Sequence, residues 1–190
     1  MLLIKDEIKL RLMRDDKQDY LSMEKWRSDE EVLKFYGGRD YPYNFKKVVE
    51  TYQPRILGEE PLIPCIFSSK NIEIGYLQYN ALNQLPPHIG EMYSLEKTDN
   101  IYGIDLFIGE TKYWNQGIGT KLLSAVINYI FTELQAVKVF IDANVRNLRS
   151  IHCYEKCGFL KIKLLPSHEL YEGKYQDCWL MAIKRNNSLD

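Results

Sequence analysis

Apolar and polar residues alternate from Glu7 to Met13 (EIKLRLM), the period-two rhythm of a strand with one face buried. Asp15 or Asp16 can then cap a helix through Tyr20, Leu21 and Trp26, and Asp29 can start a shorter one ending at Phe35 and Tyr36, where Gly37 and Gly38 stop it. Phe45 to Tyr52 predicts another helical piece before Pro54. Two apolar runs, Leu62 to Phe67 and Ile72 to Tyr79, flank the turn formers SSKN and read as an antiparallel hairpin. After a stretch of little periodicity from Ala81 to Asn100, read as a substrate-side loop, strands and helices alternate. The pattern predicts strand 101–108, helix 117–134, strand 137–141, helix 148–157, strand 159–165 and a last strand 178–183. An antiparallel meander followed by β-α-β-α-β means a mixed, mostly antiparallel sheet with helices on its faces, of α/β or α+β class. No repeat or low-complexity linker divides residues 1–190, so a single domain is expected.

Composition narrows the partners. Twenty-five Lys and Arg balance twenty-six Asp and Glu, so no global field draws nucleic acid or an anionic membrane. No stretch of eighteen apolar residues is present, and membrane spanning is not expected. Cys65, Cys153, Cys157 and Cys178 follow no disulfide spacing, which predicts reduced thiols and a cytoplasmic setting. His152, Cys153 and Cys157 lack a second ligand pair at zinc spacing, and no metal site is expected.

The most informative stretch is YWNQGIGTKLL, residues 113–123, which sets Gly117 and Gly119 at the mouth of an amphipathic helix. The unpaired amides of a first helical turn and the positive end of its dipole favour phosphate oxygens without a charged side chain. A tight strand-to-helix connection would use the same glycines, and the stretch matches neither GxxxxGK[ST] nor GxGxxG.

YWNQGIGTKLL followed by NLRSIHCYEKCGF resembles the acetyl-coenzyme A loop and later helix of the GNAT N-acetyltransferases. Within that superfamily, WRSDEEVLKFYGGRD, IYGIDLFIGE and LPSHELYEGKYQDCWLM are similar to blocks of the aminoglycoside 6'-N-acetyltransferases. The resemblance implies a single GNAT domain, acetyl-CoA as cosubstrate, and attack of a primary amine on the acetyl thioester. It places the cofactor on the backbone of Gln116, Gly117, Ile118, Gly119 and Thr120, with Leu106, Phe107 and Ile108 pairing the pantetheine and Asn147 bonding its arm. The loop departs from the family in carrying Trp114 at the leading position, where Gln or Arg is usual.

The same resemblance assigns Asp105 to orient the ammonium and accept its proton, and Tyr154 to protonate the departing thiolate. Asp105 also reads as a solvent-facing strand residue, and Tyr154 as a core aromatic on an amphipathic helix. Tyr36, Tyr102 and Asp142 are further lining candidates, and Asn147 equally suits an N-cap.

Charge adds an independent line. Residues 111–163 hold eight Lys or Arg against three acids, which suits a phosphorylated cofactor. Residues 85–110 carry Glu91, Glu96, Asp99, Asp105 and Glu110 against Lys97, and residues 167–181 carry Glu169, Glu172 and Asp177 against Lys174. An acidic mouth suits a polycationic amine, with Glu169 and Asp177 as contacts; solvated loop charge is the plain alternative. The expected enzyme is thus a monomeric or homodimeric acetyltransferase acting on aminoglycosides. Acetylation of protein N-termini, peptides or a metabolite amine, and a non-catalytic acyl-CoA binding module, are the competing readings.

Overall fold

The computed structural model describes residues 3–5, 7–84 and 100–185. Most of the anticipated substrate-side loop, with His88, Glu91, Glu96 and Asp99, lies outside the described residues. The described chain runs β1 (Leu3–Lys5), β2 (Ile8–Leu12), α1 (Lys17–Ser28), α2 (Glu30–Leu33), α3 (Phe45–Ile56), β3 (Ile63–Ser69) and β4 (Ile72–Ala81). It continues with β5 (Ile101–Ile108), α4 (Ile118–Thr132), β6 (Lys138–Asn144), α5 (Leu148–Lys156), β7 (Leu160–Tyr171) and β8 (Lys174–Lys184). The eight strands form one sheet in the order β1-β2-β3-β4-β5-β6-β8-β7, antiparallel throughout except for β5 beside β6.

Helices cover both faces of this sheet, so its central strands are apolar on both sides. Cys65, Phe67 and Leu77 meet α4 through Leu122, Leu123 and Val126. Their neighbours in sequence, Ile66 and Tyr76, point the other way and meet Met23 and Trp26 of α1 and Val48 and Tyr52 of α3. Trp26 is 1% exposed, and its indole edge occupies the space that a Cβ at Gly109 would need, 2.1 Å from Trp26 Cγ. Asp16 caps α1 through the main-chain N–H of Asp19, and Asn44 caps α3 through that of Lys47.

Three elements differ from the sequence expectation. Helix α3 passes through Pro54, because in a last turn proline forfeits a single helical hydrogen bond, and its own carbonyl accepts from Glu59 N at 2.8 Å. Helix α2 ends at Leu33, before Phe35 and Tyr36; Gly38 N then donates to Leu33 O, with Gly37 and Gly38 both at positive φ. Strands β7 and β8 are much longer than 159–165 and 178–183 and join in a hairpin at Glu172 and Gly173, both in the left-handed region that a two-residue turn requires.

Candidate active site

The parallel pair β5 and β6 is in register only from Ile101–Gly103 to Lys138–Phe140. Beyond that the strands part, and the facing edges of 104–108 and 141–144 open a cleft into the sheet. Two adjoining cavities occupy it, of about 600 and about 450 Å³.

The larger cavity sits over the glycine loop. Gly117 at φ 73° is the N-terminal boundary of α4, and no side chain caps the helix, which leaves the first-turn amides without the partner a capping residue would supply. A Cβ at Gly117 would meet nothing within 4 Å, so the left-handed backbone, and not crowding, requires glycine there. Ile118, Gly119 and Thr120 line the cavity from this side, and Leu106, Phe107 and Ile108 from β5. Gln116 is not among the lining residues; its side-chain Nε2 turns back to donate to Lys112 O at 2.7 Å, which leaves its main-chain amide uncommitted by that bond. Trp114 also occupies part of the strand edge, since its indole N–H donates to Ile108 O at 2.8 Å. No Asp or Glu lines this cavity among the described residues, whereas Arg149 and Lys156 do. An anion of extended shape fits such walls.

The smaller cavity has the opposite character. Asp105, Asp142 and Glu169 all line it, with Arg27 beneath. Asp105 projects from β5 on the face that Phe107 shares with α1, and one of its oxygens, Oδ2, accepts from the Tyr36 hydroxyl and, at 3.3 Å, from Gln78 Nε2. Oδ1 accepts no hydrogen bond among the described residues. Burial pushes Asp105 up to about 6; the Tyr36 hydrogen bond, Arg27 and Arg55 oppose the rise and the Asp142 charge adds to it. Asp142 is raised as well, by desolvation in the concavity and by Glu169, with His168 opposing. Glu169 is steadied by Asn144 Nδ2 at 3.0 Å.

Arg27 is 5% exposed, and its guanidinium lies 4.8 Å from the Tyr36 ring centre and 4.3 Å from that of Tyr43, with Nη1 donating to Tyr36 O at 3.1 Å. It therefore fixes the tyrosine that in turn fixes Asp105. A Cβ at Gly37 would come within 2.9 Å of two guanidinium nitrogens, which explains that glycine beyond helix termination.

Tyr154 stands at the seam of the two cavities, 7% exposed, together with Asn147, Leu106 and Tyr36. Burial and the Asp105 charge raise its phenol far above the ordinary value, so it stays protonated as a donor. Asn147 Oδ1 accepts from Ser150 N at 3.2 Å, capping α5 and setting the angle at which Tyr154 enters.

Two expected contacts are corrected. Tyr102 points to the opposite face of β5, with ring centres 6.4 Å from Tyr79, because side chains alternate along a strand and Asp105 takes the other face. Asp177 accepts from Ser167 N at 2.9 Å, holding an irregularity of β7 where Ser167 has φ 51°, and does not line either cavity. Sequence reading gave no individual role to Arg27, Gln78 or Arg149. Only contacts across 69 and 27 residues bring Tyr36 and Gln78 to Asp105, and no local motif announces them.

A family model described as acetyltransferase (GNAT) domain matches residues 15–166. Aminoglycoside N(6')-acetyltransferase type 1 of Klebsiella pneumoniae is 32% identical over 156 residues, which is 81% of this chain and 74% of that protein. Spermidine N(1)-acetyltransferase of Vibrio cholerae is 29% identical over 79 residues, 42% of this chain and 46% of that protein. The structure of AAC(6')-Ib with ribostamycin and coenzyme A superposes with a TM-score of 0.79 at 26% identity, covering 97% of this chain and 99% of the other.

Proposed function

Because the chain belongs to the GNAT acetyltransferases, we propose that its two cavities hold acetyl-CoA and an aminoglycoside, and that acetyl passes to the 6'-amine of the antibiotic. One observation carries this reading: a cavity lined by no acid among the described residues, over uncapped helix amides, meets a carboxylate-lined cavity at a buried, protonated tyrosine. A coenzyme supplies the activated acetyl thioester there, and the residues present suit it. The uncapped amides at the start of α4 face its phosphates, and the strand edge at 106–108 runs beside its arm.

On the amine side, Asp105 is ionised above about pH 6 and offers Oδ1 while Tyr36 and Gln78 restrain Oδ2. An ammonium docking on Oδ1 is oriented and can surrender its proton, directly or through water. Asp142 and Glu169 present further charge to the other ammonium groups of a polycation, fixing which ring enters. Tyr154 donates its proton to the leaving sulfur. Four cysteines without disulfides and the absence of a helix long and apolar enough to cross a membrane among the described residues support a cytoplasmic setting.

A linear polyamine is the second reading, favoured by the same three carboxylates and by the similarity to the spermidine enzyme. A panel of kanamycin, tobramycin, ribostamycin, spermidine and short peptides, scored by release of free thiol from acetyl-CoA, tests the choice. Aminoglycosides should turn over fastest; failure of all of them with turnover of spermidine or a peptide amine would retire the first reading.

A further inference from the structure

We infer that Arg149 is the side-chain cation that grips a phosphate of acetyl-CoA in this chain. The inference rests on the proposed use of the larger cavity for that cosubstrate. Loop residues 113–119, YWNQGIG, supply no charge to the cradle. Trp114 is committed elsewhere by its bond to Ile108 O, but its ring face serves as a platform: the Arg149 guanidinium carbon lies 3.8 Å from its centre and 4.5 Å from that of Phe35. Phe35 and Trp114 themselves meet edge to face at 5.8 Å. Rings from two separate segments thus flank the guanidinium at the cavity wall.

Arg149 makes no ion pair or hydrogen bond to any described residue, whereas Arg11, Arg14, Arg39 and Arg55 each have a carboxylate partner. Its pKa is lowered by burial, and no acid counters that effect. A half-buried cation that lies over two rings and has no acid partner among the described residues keeps its N–H groups free for an oxyanion. Arg149, Gly117, Gly119 and Asn147 line one continuous cavity that contains no carboxylate among the described residues, so a phosphate there meets both main-chain amides and a guanidinium.

Titration calorimetry of coenzyme A against the parent and Arg149→Met, Arg149→Lys and Lys156→Met variants tests the assignment, with melting temperatures recorded alongside. Methionine keeps apolar contact with Trp114 and removes the charge. Binding should weaken roughly 10- to 100-fold in Arg149→Met, the range of a lost charge-assisted hydrogen bond, and recover in part in Arg149→Lys. S-acetylpantetheine, which lacks the nucleotide phosphates, should be used equally by the parent and Arg149→Met. With 3'-dephospho-coenzyme A, a retained defect assigns the diphosphate and a vanished one the 3'-phosphate. Arg149→Met binding coenzyme A as tightly as the parent, or losing S-acetylpantetheine in equal proportion, would overturn the inference while leaving the enzyme's function untouched. Failure of the parent itself to bind coenzyme A would instead remove the underlying reading.

Discussion

Replacing Asp105 by Asn should abolish most of the activity and yet stabilise the protein at neutral pH. Asp105 rises from the ordinary 3.8 to about 6 because the fold strips water from its carboxylate, and at about 1.4 kcal/mol per pH unit the native state bears a cost of about 3 kcal/mol when the group is ionised. The sign follows from the direction of the shift. A group with a raised folded-state pKa holds its proton more tightly when folded, so its contribution is fully present below about pH 4 and is lost as pH climbs through about 6. Asparagine has no charge to desolvate, and its carbonyl oxygen can still accept from Tyr36. For a chain of this length, 1 kcal/mol is about 2–4 °C in Tm, so a gain of several degrees, up to roughly 10 °C, is expected at pH 7.5. The gain should shrink at pH 5 and vanish near pH 4. Calorimetric melting of both proteins across that range, with initial rates at pH 7.5, is the assay. The rate should fall by about 10²–10⁴, the usual worth of a positioned base. A variant that melts lower than the parent at pH 7.5, or a difference that does not vary with pH, would show that the carboxylate is held by favourable pairing, contrary to the reasoning.

For the parent enzyme, kcat/KM with an aminoglycoside should fall on the acid side with an apparent pKa near 6, as Asp105 protonates; a flat profile down to pH 5 would exclude it as the base. Tyr154→Phe should reduce kcat more than it alters KM for acetyl-CoA, since the phenol acts on the leaving sulfur; equal kcat would reassign the tyrosine to packing. The wholly buried Asp19 binds both Arg11 and Arg14, at 2.6 and 2.7 Å, so Asp19→Ala should cost roughly 1.5–3 kcal/mol in denaturant melts by removing one charge-assisted partner from each, with Glu73 left as the acid partner of Arg11. Cys153 lines the larger cavity, its Sγ 3.4 Å from Thr120 Oγ1, and its interaction with the neighbouring Cys157 thiol together with that contact holds its thiol below the ordinary value. Iodoacetamide at pH 7.5 should therefore modify Cys153 first and block coenzyme binding, with saturating coenzyme A protecting; peptide mapping reads the site.

Those features of the fold that depend on local periodicity were legible in the chain. Alternation in EIKLRLM, the turn formers SSKN, and the apolar spacing after Gly117 each reflect backbone geometry acting over a few residues. The long β7–β8 hairpin was not legible, because LPSHEL and YEGKY mix charge, proline and turn formers, and its pairing with β8 is stabilised by the cross-strand ladder more than by propensity. Pro54 misled for a different reason: position within a helix, which one sequence does not announce, decides what proline costs. At the site, Gly117, Asp105 and Tyr154 stood out because their residue types are unusual for their setting or match a motif. Tyr102 failed because a one-residue step along β5 reverses the face, and the sequence shows two plausible alternations there. Arg27 and Arg149 act through aromatic rings supplied by distant segments, a relation visible only in three dimensions.

Transfer of acetyl from acetyl-CoA to the 6'-amine of an aminoglycoside can be read out by incubating the protein with acetyl-CoA and ribostamycin and locating the new acetyl group by NMR. A single product carrying the amide at the 6' nitrogen is expected. Acetylation at another nitrogen, or recovery of unchanged ribostamycin beside unconsumed acetyl-CoA, would contradict it.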